Sequence, residues 1–184
     1  MVKAYARSAA GMDVELVSEI RNPATCLKTL KYLYSRLDED DFQFLHSWLW
    51  DRTRAVRKDL RTQRIENRHD IAILLTSLEY SARFYMLSAH HMARSTKDDY
   101  SHQQDVEQLN QTLISLKERY VDNRRAGIIS ENEAEFWAYR LILAPIYANT
   151  ALENELHHLP SDLKHNPRIQ TALEIFRLLK SIII

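Results

Sequence analysis

Trp48-Leu-Trp-Asp-Arg-Thr-Arg-Ala-Val-Arg-Lys-Asp-Leu-Arg-Thr-Gln63 is the stretch around which the rest of the chain is organised. It holds neither glycine nor proline and has the pattern of a long helix, apolar on one side and basic on the other. Projected at about 100° per residue from Leu45, the side chains of Leu45, Leu49, Val56 and Leu60 share an arc roughly 60° wide, with Phe42 at its edge. Between Arg52 and Arg64 stand six Lys or Arg residues and one acid, Asp59. Arg54, Arg57, Lys58, Arg61 and Arg64 fall on the far side, a ladder with the chemistry to meet phosphates or an acidic partner. Arg52 and Asp59 project close to the apolar arc, where an unpaired charge is costly. They are therefore a candidate structural ion pair, joined to each other or to neighbouring helices, and loss of Arg52 should destabilise the fold. Trp50 projects beside the ladder, where an aromatic ring could stack on a base as in single-strand binding, or pack on a neighbouring helix. Trp48 lies nearer the apolar arc and is assigned to the core.

Outward from this stretch the signals remain helical. Asn22-Pro23 and Asn166-Pro167 each place a capping side chain before a proline at the first helical position. Leu27, Leu30, Leu33, Tyr34 and Leu37 continue the first stripe, and Asp38-Glu-Asp-Asp41 suits the positive end of the second helix. Asp70 is a candidate cap for a third helix reaching about Ala93, apolar on two opposite arcs and hence sandwiched between layers. A fourth spans about His102–Arg125 with Gly127 beyond its end. Ser130-Glu-Asn-Glu133 has the spacing of a capping box for a fifth, which Pro145 should kink or shorten. A short helix near Thr150–His158 and a last one from Asn166 bring the total to about seven. Residues 1–20 show little periodicity and form an extended lead-in; residues 21–184 form one helical domain.

Composition agrees. In 184 residues, two glycines and four prolines leave little turn chemistry for a hairpin-rich sheet, which points to an all-α fold. Hydrophobic content of 45% with 27% charged residues is that of a chain with a packed core. The formal charge of zero confines any anion-binding surface to a local patch. The single Cys26 excludes an intramolecular disulfide, and no run approaches the length of a membrane span. The sequence has no Walker loop, GxGxxG, GxSxG or HExxH motif, so no cofactor or metal site is expected. The doublets His90-His91 and His157-His158 lack cysteine partners for zinc, and His91 is read as a packing residue. An Arg/His-using nuclease is the enzymatic alternative, without positive support.

The central stretch is similar to the signature of the Sac-three/GANP family, through Asp51-Arg-Thr-Arg-Ala-Val-Arg-Lys-Asp-Leu-Arg-Thr-Gln63. The resemblance extends to Arg7-Ser-Ala-Ala-Gly11, Ile20-Arg-Asn-Pro23 and Leu27-Lys-Thr-Leu-Lys-Tyr-Leu33, and onward to Ser81-Ala-Arg-Phe84, Ser88-Ala-His90, Glu107-Gln-Leu-Asn-Gln-Thr-Leu113, Ser115-Leu-Lys-Glu-Arg-Tyr120 and Asn132-Glu-Ala-Glu-Phe136. It implies an irregular right-handed stack of helical hairpins, a tetratricopeptide-like α-solenoid forming the front half of a PCI domain. In such chains a winged helix follows. The terminal Ser-Ile-Ile-Ile184 resembles a helix cut off in mid-course, so the chain is expected to be a fragment that stops before that module. The resemblance further implies a non-enzymatic scaffold of the nuclear mRNA export complex TREX-two at the nuclear pore. Its implied partners are a second PCI subunit and a small acidic Sem/DSS-type peptide, with contacts mostly outside this region. Auxiliary binding of single-stranded RNA through Arg54, Arg57, Lys58, Arg61, Arg64 and Trp50 is the accompanying expectation. A purely protein-binding adaptor is the alternative.

Overall fold

The computed structural model describes residues 2–6, 17–38, 40–97, 100–147 and 151–183. Arg7-Ser-Ala-Ala-Gly11 and Ile184 lie outside these. Among the described residues all regular structure is helical. Eight α-helices follow one another: α1 (Pro23–Ser35), α2 (Phe42–Thr62), α3 (Arg68–His91), α4 (His102–Arg125), α5 (Glu133–Leu143), α6 (Ala151–His157), α7 (Ser161–Lys164) and α8 (Pro167–Ile183). The all-α expectation holds, and the eighth helix is the single turn α7, too short for a periodic signal. Val17–Glu19, Arg36–Asp38 and Ala144–Tyr147 are short 3-10 turns.

The chain divides into two compact units, Met1–Leu109 and Asn110–Ile184, with the division falling inside α4. In the first unit α1 packs on both α2 and α3, and α2 also packs on α3. Cys26, Leu30 and Leu33 of α1, Leu49, Val56 and Leu60 of α2, and Leu78, Ala82 and Tyr85 of α3 are buried. Each leucine removed from water in this way contributes about 2 kcal/mol before the entropy of ordering is set against it. In the second unit α5 packs on α8. Trp137, Leu141, Leu152, Leu163, Ile169 and Ala172 form its core. Arg124 there joins Glu133 (2.8 Å) to Asp162 (2.6 Å). Burial pushes the Glu133 carboxyl above its ordinary range, whereas the hydrogen bond from Arg124 lowers that of Asp162.

Local chemistry sets the helix ends. Asn22 accepts from the Thr25 amide at 2.8 Å, with Pro23 at the first position of α1. Two assigned caps are corrected. α3 is capped by Asn67, which accepts from the Asp70 amide and donates back to the Asp70 carboxylate at 2.6 Å; Asp70 is thus the responding residue of the first turn. Ser130 and Glu133 do not form a capping box. Asn132 is the cap residue of α5, and the Glu133 carboxylate is taken by Arg124. Pro145 shortens α5, which gives way to a 3-10 turn after Leu143. α4 ends in a Schellman motif: the Gly127 amide donates to Arg124 and the Ile128 amide to Asn123, with Gly127 at φ 74°.

A Cβ added at Gly127 would meet no atom within 4 Å, so only the backbone opposes a side chain there. Gly127→Ala should cost about 1 kcal/mol, measured as a lowered urea midpoint with unchanged slope.

Candidate nucleic-acid interface

α2 presents its apolar arc to the core as its periodicity requires, but its charged residues do not form one solvent-facing ladder. Asp59 is fully buried. Its carboxylate accepts from Arg21 Nε at 2.6 Å, from the Arg21 amide at 3.3 Å and from Lys3 Nζ at 3.1 Å. Gln63 reinforces the same junction, its Nε2 donating to the carbonyls of Arg21 (2.7 Å) and Asp59 (2.8 Å). Arg52 instead donates to Asp51, its neighbour in sequence, at 2.5 Å. The mutual Arg52–Asp59 pair is therefore corrected. The wheel placed both near the core, but the partners of Asp59 come from the segment ahead of α1, which no projection of α2 contains. Arg52 is half-buried and turned along its own helix toward Asp51.

The remaining cations are also largely engaged. Arg57 donates from Nη1 to Gln108 Oε1 at 2.8 Å and to the Tyr85 hydroxyl at 3.4 Å, and its guanidinium lies over the Tyr85 ring. It bridges α2, α3 and the start of α4. Arg54 lies 4.1 Å from the Tyr5 ring centroid and 5.3 Å from that of Trp50, so both rings can hold its charge by cation–π attraction. Lys58 Nζ donates to the Ala6 carbonyl at 3.1 Å. Arg64 is bonded at 2.6 Å to Glu66, with both side chains well exposed. Arg61 is exposed, with no hydrogen bond or ion pair among the described residues. Trp48 and Trp50 are both half-buried, so neither is a pure core residue.

Residues 2–6, without regular secondary structure, run along this face as a strap. Its Tyr5 amide donates to Asp51 Oδ2 at 3.0 Å, Lys3 reaches Asp59, and Lys3 Nζ also donates to the Glu19 carbonyl at 3.0 Å. The sequence offered no signal for this, because an aperiodic stretch carries none. Thr53, also buried, meets the Tyr34 hydroxyl of α1 at 3.0 Å.

A second polar group was missed. His46 Nε2 lies 2.6 Å from Ser88 Oγ, which donates to Asp105 Oδ2 at 2.5 Å. The three residue types match a nucleophile triad, but the arrangement does not. Ser88 Oγ and, at 3.6 Å, Asp105 Oδ2 both face the same imidazole nitrogen, whereas a triad takes serine on one ring nitrogen and the carboxylate on the other. Ser88 has no exposure, so the group joins α2, α3 and α4 as a buried polar tie. Cys26 is equally inaccessible; burial raises its thiol to about 12, which leaves too little thiolate for a nucleophile. His91 does pack, stacked on Phe42 at 4.8 Å, but on the exposed side. No cluster of three His, Cys, Asp or Glu able to hold a metal occurs among the described residues, and no described helix is long and apolar enough to cross a membrane.

The family model described as SAC3/GANP family matches residues 1–183. SAC3 family protein 1 of Schizosaccharomyces pombe is 32% identical over 180 residues, covering 96% of this chain and 17% of that protein. SAC3 family protein B of Arabidopsis thaliana is 34% identical over 151 residues, covering 77% and 8%. Protein xmas of Drosophila melanogaster is 27% identical over 187 residues, covering 97% and 9%. The chain thus spans less than a fifth of the length of these curated relatives.

The geometry separates the two charged residues that the helical wheel grouped together. Asp59→Ala leaves Arg21 without its buried partner and should cost about 3 kcal/mol. Arg52→Ala removes a half-exposed pair and should cost under about 1 kcal/mol. Urea unfolding of both variants checks the order; equal losses would contradict the assignment.

Proposed function

The chain belongs to the SAC3/GANP family, and from that premise we propose that it is a non-enzymatic scaffold module of a nuclear mRNA export assembly of the TREX-two kind. The observation that carries this reading is the use made of the family signature. Thr53, Arg57, Asp59 and Gln63 all turn inward, fastening α2 to α1, α3, α4 and the leading segment. A signature spent on holding helices in register specifies a surface for assembly. A catalytic signature would instead leave reactive groups exposed in a cleft. The polar group with catalytic residue types, His46–Ser88–Asp105, is closed to substrate. In this reading the helical units sit in a nuclear-pore-associated complex beside a second PCI subunit and a small acidic Sem/DSS-type peptide.

Auxiliary contact with single-stranded RNA is the second element of the proposal. It is supported by exposed Arg61 in the last turn of α2, on the same helical face as Arg54, Lys58 and Trp50, and by exposed Arg64 just beyond the helix, off the face on which the wheel placed it. Arg57 drops out of the phosphate-facing set, since Gln108 and Tyr85 hold its guanidinium. The other reading, an adaptor whose basic residues meet only protein, differs in its salt dependence.

Fluorescence anisotropy with a single-stranded RNA across a salt series decides between them. Two phosphate contacts, at Arg61 and Arg64, contribute about 1.4 to the slope of log affinity against log salt. Arg61→Glu with Arg64→Glu should remove that contribution and weaken binding while leaving the melting temperature unchanged. An unchanged slope would favour the protein-only adaptor. RNA cleavage that survives repurification and stops in His90→Ala would replace the scaffold reading with a nuclease.

A further inference from the structure

The strap covers part of the face assigned above to RNA, and its contacts with Arg54 and Lys58 have counterparts in RNA recognition. The Tyr5 ring lies 4.1 Å from the Arg54 guanidinium, which also lies 5.3 Å from the Trp50 ring. A nucleobase stacks on arginine and aromatic planes in the same way. The Ala6 carbonyl oxygen accepts from Lys58 Nζ at 3.1 Å, as a phosphate oxygen would. Tyr5 and Ala6 therefore occupy places on Arg54 and Lys58 that a strand would use. Arg61, one turn beyond Lys58 on α2, and Arg64, just past the end of the helix, make no hydrogen bond or ion pair with the strap among the described residues.

We propose that residues 2–6 are a built-in competitor for single-stranded RNA, so that Tyr5 and Ala6 give up Arg54 and Lys58 when a strand binds. The inference rests on the RNA reading of this face. The strap is held unevenly, which gives the exchange a direction. At Lys3 it is fixed by buried Asp59, whereas at Tyr5 and Ala6 it is held by one amide, one carbonyl and a ring, all half-buried or exposed. Displacement thus begins at Tyr5 and leaves the Lys3 anchor seated. A strand enters over Arg61 and Arg64 and extends to Arg54 only after the ring has left.

The test compares the parent chain, Tyr5→Ala and Tyr5→Phe by anisotropy with a single-stranded oligouridine, beside hydrogen exchange at the Tyr5 amide in the parent with and without that RNA. Losing one ring contact should tighten binding about threefold to tenfold in Tyr5→Ala, while Tyr5→Phe, which keeps the ring, should bind as the parent does. In the parent, saturating RNA should speed exchange of the Tyr5 amide, which loses Asp51. Equal affinity of parent and Tyr5→Ala with unchanged exchange overturns the competition and leaves the RNA reading standing. Weaker binding by Tyr5→Ala also overturns it, because Tyr5 would then be part of the RNA site. No binding by any of the three, even at low salt, overturns both. The exchange measurement needs no substitution and remains decisive if Tyr5→Ala lowers stability.

Discussion

A carboxylate with no solvent must be neutralised where it stands, and Asp59 is such a carboxylate. Its two cations arrive from different places, Lys3 from the strap and Arg21 from the residue before the α1 cap. Gln63 closes the junction by donating to the Arg21 carbonyl. One side chain on α2 thereby fixes where the leading segment runs and how α1 begins. The apolar arc alone could not do this, since burial of leucine and valine is non-directional and tolerates rotation and sliding. The charge converts a general attraction between helices into one register.

The same economy explains the rest of the basic face. Six cations in thirteen residues would repel one another on a free helix. Here Arg57 is set against Gln108 and Tyr85, Arg54 against two rings, Lys58 against a carbonyl and Arg52 against Asp51. Such a helix is a fastening for its neighbours first. The cations that the fold engages least are Arg61 in the last turn and Arg64 just beyond the helix.

The sequence carried the helices well because their signals are local. Asn22-Pro23, Asn166-Pro167 and Gly127 act within a few residues, and α4 has the bounds that its pattern predicts. Where two local solutions competed, pattern alone did not choose. Asn67 and Asp70 could each cap α3, and Asn67 does so with Asp70 answering it. Ser130 and Glu133 have capping-box spacing, yet Arg124 reaches Glu133 first. The candidate site was less legible for a different reason. A helical wheel ranks residues by direction but is blind to what other segments bring, so it found that Asp59 needs a partner and left open whether Arg52 or a neighbouring element supplies it. The strap has no period at all, and its role is set by tertiary contacts through Lys3, Tyr5 and Ala6.

A double-mutant cycle between Arg21 and Asp59 tests the central claim most directly. Arg21→Met, Asp59→Leu and the double variant are unfolded in urea beside the parent. Coupling of about 1.5–3 kcal/mol, with the double variant far more stable than the two single losses would sum to, is the expected result for a buried pair in one network. Losses that simply add would mean that Asp59 does not depend on Arg21, and the junction described here would not be what holds the leading segment to α2.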